Sequence, residues 1–165
     1  RFQLPIINIV RRAEQEELLR RLGAEHVLNS SAADFDTQLR ELARRLGATI
    51  GFDAIAGEMS ARVLRAQPPT SHLLVYGALS LTAAQADPGS LIFEGKRMTG
   101  FWLSAWMRRK SMLARFRTAR QVQKLLAAEL QSEIRARVPL AEAARALSDY
   151  AANMTGGKIL LVPEP

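Results

Sequence analysis

The 165-residue chain contains no cysteine. That excludes disulfides and any thiolate-bound zinc or iron–sulfur centre within this stretch, and it fits a reducing compartment. Histidine occurs only at His26 and His72. Neither has a partner at metal or triad spacing, so both read as structural and no metal site is expected. Ser30, Ser31, Ser60 and Ser80 lack the context of a nucleophile elbow. There is no G-x-G-x-x-G and no Walker loop: five residues separate Gly89 from Gly95-Lys96, and Arg97 stands where serine or threonine would follow. No apolar run reaches the length of a membrane span, and no secretory pattern is visible. Acid is missing from Gly95 to Ala128, where nine basic residues fall: Lys96, Arg97, Arg108, Arg109, Lys110, Arg115, Arg117, Arg120 and Lys124.

What is present suits one globular core. Apolar residues make up 48% of the chain and charged residues 24%, with a net charge of +7, outside the disordered range. The first half alternates strand and helix signals. Ile6–Val10 is an apolar run broken only by Asn8, as in a strand buried on both faces. Helix Glu14–Leu22 is stopped by Gly23. His26–Leu28 is the next strand, followed by a helix that Asp34 caps and that runs to Leu46, with Phe35, Leu39, Leu42 and Leu46 at helical spacing. Gly47 ends it. Strand Ile50–Ile55, helix Ser60–Ala66 and strand Leu73–Tyr76 follow. Strands joined by helices of this length call for right-handed crossovers and a parallel sheet.

The second half is read as a loop over 80–95, a strand over Arg97–Leu103 and a long helix over Arg109–Leu130. Met112, Phe116, Ala119, Val122, Leu126 and Leu130 would share one face of that helix, and Arg117, Arg120 and Lys124 another. A strand at Ile134–Val138, an amphipathic helix at Leu140–Asn153 and a closing strand at Lys158–Val162 complete the chain. The fold class expected is α/β: an incomplete Rossmann-like, doubly wound parallel sheet lacking its first strand and glycine-rich turn, plus a C-terminal helix and strand that would join a catalytic domain. The domain division expected is 1–132, a partial dinucleotide-binding domain, and 133–165, the return segment of the catalytic domain. The chain opens on Arg1 and enters a strand almost at once, so a longer protein is expected.

Arg11 and Arg12 close the first strand. In a dinucleotide-binding fold the corresponding strand end meets the adenosine ribose, where a carboxylate accepts the 2′-hydroxyl and arginine suits a 2′-phosphate. The plain alternative is a pair of solvated cations at a strand end. Glu14, Glu16 and Glu17 fit the first turn of a helix, favoured there by its dipole. Phe101-Trp102-Leu103-Ser104-Ala105-Trp106 could line a flat ligand, form a subunit interface or simply pack in the core; an open edge strand with two tryptophans invites pairing, which favours the interface. The basic field from Lys96 to Lys124 leaves a non-enzymatic alternative: an interaction module for nucleic acid or an acidic partner.

Several strings occur in a fixed order: Ile9-Val10-Arg11-Arg12, Leu22-Gly23-Ala24-Glu25-His26-Val27-Leu28-Asn29, Gly51-Phe52-Asp53-Ala54-Ile55-Ala56-Gly57, Val75-Tyr76-Gly77-Ala78-Leu79, Gly100-Phe101-Trp102-Leu103 and Gly156-Gly157-Lys158-Ile159-Leu160-Leu161. Together they resemble the C-terminal half of a medium-chain dehydrogenase/reductase. The Gly-Phe-Trp and Tyr-Gly-Ala-Leu strings are similar to those of the zinc-independent NADPH:quinone oxidoreductases and 2-enoyl thioester reductases.

The resemblance implies NADP(H) as cofactor and hydride transfer to a quinone or enoyl thioester. It implies Arg11 and Arg12 at the 2′-phosphate, Ile55, Ala56 and Gly57 bordering the cofactor cleft, and Tyr76, Gly77, Ala78 and Leu79 approaching the nicotinamide. Phe101, Trp102 and Leu103 would lie near the carboxamide, and Lys158 near the cofactor. No catalytic residue and no metal ligand is carried over to this stretch, and the chain alone is expected to be inactive. A homodimer through the Gly100–Trp106 edge is implied, with no membrane or nucleic-acid partner. The location expected is the cytoplasm, with the mitochondrial matrix as the alternative.

Overall fold

A computed structural model describes residues 4–128, 134–152 and 157–163. The chain forms two compact units, 1–106 and 107–165.

In the first unit, strand and helix alternate. Strand β1 (Ile7–Val10) leads to helix α1 (Ala13–Arg21), strand β2 (His26–Asn29), helix α2 (Phe35–Leu46), strand β3 (Ile50–Asp53), helix α3 (Glu58–Ala66) and strand β4 (His72–Val75). A short helix α4 (Pro88–Ile92), strand β5 (Arg97–Gly100) and helix α5 (Leu103–Arg108) follow. All strand pairs are parallel, as the alternation requires.

The strands form two pieces, β1-β2 and β3-β4-β5. Among the described residues β1 pairs only with β2, and β3 only with β4, so each keeps an open edge. One layer of helices backs both pieces. Phe35, Leu39 and Leu42 of α2, Leu28 of β2 and Ala66 of α3 form a buried cluster, against which Ile7, Ile9, Met59 and Val63 pack. The spacing of Phe35, Leu39 and Leu42 puts them on one stripe of α2, and burying that stripe supplies most of its stability. Gly47 terminates the helix at φ 60°, a left-handed conformation that suits glycine.

Arg62 of α3 ties the two pieces together. Its guanidinium lies 4.5 Å from the Phe35 ring centroid. It also makes a two-pronged ion pair with Asp36 at 2.8 and 3.2 Å. Lys96, its side chain buried, donates to the Arg65 carbonyl and pairs with Glu94 at 2.5 Å, pegging the start of β5 to α3.

Four expectations are corrected. The segment 80–95 is not all loop: Asp87 accepts from the Ser90 amide and caps α4, with Pro88 in the first turn. That amide bond holds the Asp87 carboxyl below its ordinary range. The strand expected over Arg97–Leu103 stops at Gly100, because its partner β4 ends at Val75, in register with Gly100. Beyond it the chain turns helical, and Trp106 N–H bonds Trp102 carbonyl at 3.0 Å; the Gly100–Trp106 segment is therefore mostly helix rather than strand. Asp34 precedes α2 without capping it, its carboxylate instead taking the Gln38 side-chain amide. Helix α3 begins two residues before Ser60, at Glu58.

The second unit contains helix α6 (Met112–Ala128), strand β6 (Ile134–Pro139), a 3₁₀ turn at Leu140–Glu142, helix α7 (Ala143–Ala152) and strand β7 (Lys158–Val162), with β6 and β7 parallel. The long helix starts at Met112 rather than Arg109 because Ser111 Oγ accepts the Ala114 amide. Met112, Phe116, Val122 and Leu126 share its expected apolar face, and all four are exposed. Leu130, Asn153 and Gly156 lie outside the described residues.

Candidate functional site

Parallel strands end together. Asp53 of β3, Val75 of β4 and Gly100 of β5 are in register, so the loops that follow them emerge at one end of the sheet piece. Val10 and Asn29 align likewise at the end of β1-β2. Ligands of open α/β sheets bind outside such carboxyl ends. A cleft of about 430 Å³ lined by Leu4, Ile6, Leu19 and Leu22 lies at the opposite ends of β1 and β2 and is not part of this site.

At the end of β1 the backbone of the arginine pair is pinned. The amides of Arg11 and Arg12 both donate to Gln15 Oε1 at 3.1 Å. Ser31 Oγ donates to the Arg11 carbonyl at 3.0 Å, and the Ser30 amide to the Val10 carbonyl at 2.7 Å. Arg12 carbonyl opens α1 by accepting from the amides of Gln15 and Glu16. Both arginines are exposed at this turn, and a guanidinium there offers planar donors to an anionic ligand.

The loops after β3 and β4 form one body. Tyr76 N–H bonds the Asp53 carbonyl at 2.9 Å, Leu79 N–H the Ala54 carbonyl at 3.1 Å and Ser80 N–H the Ile55 carbonyl at 2.9 Å. Gly77 permits the contact: a Cβ there would sit 2.7 Å from the Ala54 carbonyl oxygen, backbone that cannot yield. Gly57 has φ 64° and ψ −144°, and a Cβ there would meet Thr82 Oγ1 at 2.5 Å. Ala56 also has positive φ, 64°, a conformation a non-glycine residue keeps only when its surroundings impose it.

Phe101 follows β5, and its amide reaches the Val75 carbonyl at 2.8 Å, beside Tyr76. Trp102 and Leu103 are exposed next to it. Ile55 to Gly57, Tyr76 to Leu79 and Phe101 to Leu103 thus share one end of the β3-β4-β5 piece, and Arg11 and Arg12 stand at the same end of β1. Lys158 belongs to the second unit, where it opens β7 and is exposed.

Sequence reasoning missed four supporting residues: Gln15, Ser31, Asp53 and Ser60. The signal for Gln15 was legible, since a glutamine three residues after a helix start can turn back to cap it. The others act across the fold and leave no local signature. His72, read as structural, bonds Thr99 Oγ1 at 2.7 Å across β4 and β5.

A family model described as "Zinc-binding dehydrogenase" matches residues 2–118. A solved structure from Mesorhizobium loti, assigned as an NADPH:quinone reductase, is 36% identical and superposes with a TM-score of 0.81 over 95% of this chain and 45% of its own. A second, from Bacillus thuringiensis and assigned likewise, is 26% identical with a TM-score of 0.82, over 96% of this chain and 48% of its own. The mitochondrial enoyl-[acyl-carrier-protein] reductase of Arabidopsis thaliana is 29% identical over 61% of this chain and 28% of its own length. The chain thus spans less than half the length of each of these relatives. Among the described residues, no group of three or more histidine, cysteine or acidic side chains comes together.

Proposed function

Because the chain belongs to the zinc-binding dehydrogenase family, we propose that it is the cofactor-binding portion of an NADPH-dependent oxidoreductase that reduces a quinone or an enoyl thioester. The observation that carries this reading is the pinned arginine turn at the carboxyl end of β1, at the same strand ends as the rigid loops after β3 and β4. NADPH, when bound, supplies the hydride that reaches the conjugated acceptor.

The protein's own contribution is to bind and orient. Arg11 and Arg12 take the 2′-phosphate through charge-assisted bonds. Ile55, Ala56 and Gly57 border the cleft, and glycine at position 57 lets this loop pack against Ser80 and Thr82. Tyr76, Gly77, Ala78 and Leu79 face the nicotinamide. The backbone at Phe101, Trp102 and Leu103 serves the carboxamide. The diphosphate grip belongs to a strand and glycine-rich turn that would pair with the open edges of β1 and β3. Residues 133–165 are the return segment of the catalytic domain, following a cofactor domain of 1–132.

The outer edge of β5 is unpaired among the described residues, and exposed Trp102 and Leu103 adjoin it. A homodimer formed through the Gly100–Trp106 segment covers both. Among the described residues no helix is long and apolar enough to cross a membrane. The location proposed is the cytoplasm, with the mitochondrial matrix as the alternative, and a mitochondrial relative is consistent with the latter.

The test is turnover by the full-length gene product. Loss of NADPH absorbance is expected on adding a quinone or a 2-enoyl thioester, with none from residues 1–165 alone. No turnover of either acceptor class by the full-length protein contradicts the assignment.

A further inference from the structure

Asp53 lies buried at the carboxyl end of β3, 4% exposed. Oδ1 accepts the amides of Ile55 and Ala56 at 2.8 and 3.0 Å. Oδ2 accepts the hydroxyl of Ser60, itself fully buried in the first turn of α3, at 2.5 Å. One carboxylate therefore binds the loop after β3 from within and anchors it to α3. The loop it holds contains the two consecutive positive-φ residues, Ala56 and Gly57. Its carbonyls at Ala54, Ile55 and Gly57 in turn receive the amides of Leu79, Ser80 and Gln85. The position of the segment from Tyr76 to Leu79 is thus set through Asp53.

We infer that Asp53, with Ser60, is a positioning residue for the nicotinamide half of the cofactor site, acting through the Ile55–Gly57 loop on Tyr76–Leu79; this rests on the NADPH reading above. Among the described residues the carboxylate bonds only the loop after β3 and Ser60, and no part of the arginine turn. Its effect is therefore confined to one half of the dinucleotide. The adenosine half, at Arg11 and Arg12, is held by Gln15 and Ser31 instead.

Two ligands separate the halves: NADPH, and adenosine 2′,5′-bisphosphate, which lacks the nicotinamide. In the full-length protein, Asp53→Ala is expected to weaken NADPH binding about 10-fold and to change bisphosphate binding less than about 2-fold. Asp53→Asn keeps the Oδ1 acceptor for both amides and is expected to stay within about 3-fold of the unmutated protein for NADPH. Ser60→Ala removes one of the three bonds and is expected to weaken NADPH about 3-fold, which supplies a test if Asp53→Ala fails to fold. Equal loss for both ligands, or no loss for NADPH, in Asp53→Ala or Ser60→Ala overturns the inference. An unmutated protein that binds neither ligand overturns the cofactor reading on which it rests.

Discussion

Replacing both Arg11 and Arg12 with alanine is expected to weaken NADPH binding about 100-fold while leaving NADH binding within about 2-fold. A hydrogen bond to a charged group contributes about 1.5–3 kcal/mol, and two such groups are proposed to serve the 2′-phosphate. Their side chains are exposed, so solvent screening holds each to the lower end of that range. The backbone fixes the direction of the effect. Gln15 and Ser31 hold the backbone of the turn, so the double variant is expected to keep its fold. Titration of both cofactors into the variant and the unmutated protein, with circular dichroism as the check on folding, gives the result. Parallel losses for NADPH and NADH would show a structural role for the pair rather than selection of the phosphate.

Phe35→Ala is expected to lower the stability of the first unit by about 3–5 kcal/mol. The ring is fully buried. It meets Leu39, Leu42, Leu28 and Ala66 in the cluster that joins α2 and α3 to the strands. Arg62 lies over its face and would lose that contact too, a further loss of about 0.5–1 kcal/mol. Small domains are stable by about 5–15 kcal/mol, so the loss is a large share of the total. Urea unfolding, followed by far-ultraviolet circular dichroism, checks it. A loss below about 1 kcal/mol would mean that the cluster around Phe35 does not centre the core.

The sequence carried the alternation of the first unit because buried parallel strands and amphipathic helices have different periods. Ile7, Ile9 and Val10 in β1 and the Phe35, Leu39, Leu42 spacing in α2 show this. Segments whose form is set by capping were harder. Pro88-Gly89 reads as a loop until Asp87 is seen to accept the Ser90 amide. Phe101-Trp102-Leu103 has strong strand propensity, yet β4 ends at Val75 and offers it no further ladder partner. Periodicity found the apolar face of α6 but does not say whether a partner covers it, and Met112 and Phe116 are exposed. At the site, the arginine pair and the glycines are local features and were legible. Asp53 and Ser60 are seven residues apart and meet only because α3 folds back over the end of β3. Spacing alone gives no reason to pair them.

On the proposed reading, the strand ends gathered here hold NADPH, chosen by Arg11 and Arg12. Calorimetric titration of the unmutated full-length protein with NADPH and with NADH tests it most directly. Tighter binding of NADPH by about 10-fold or more is the result expected; equal affinity for the two cofactors, or no binding of either, contradicts it.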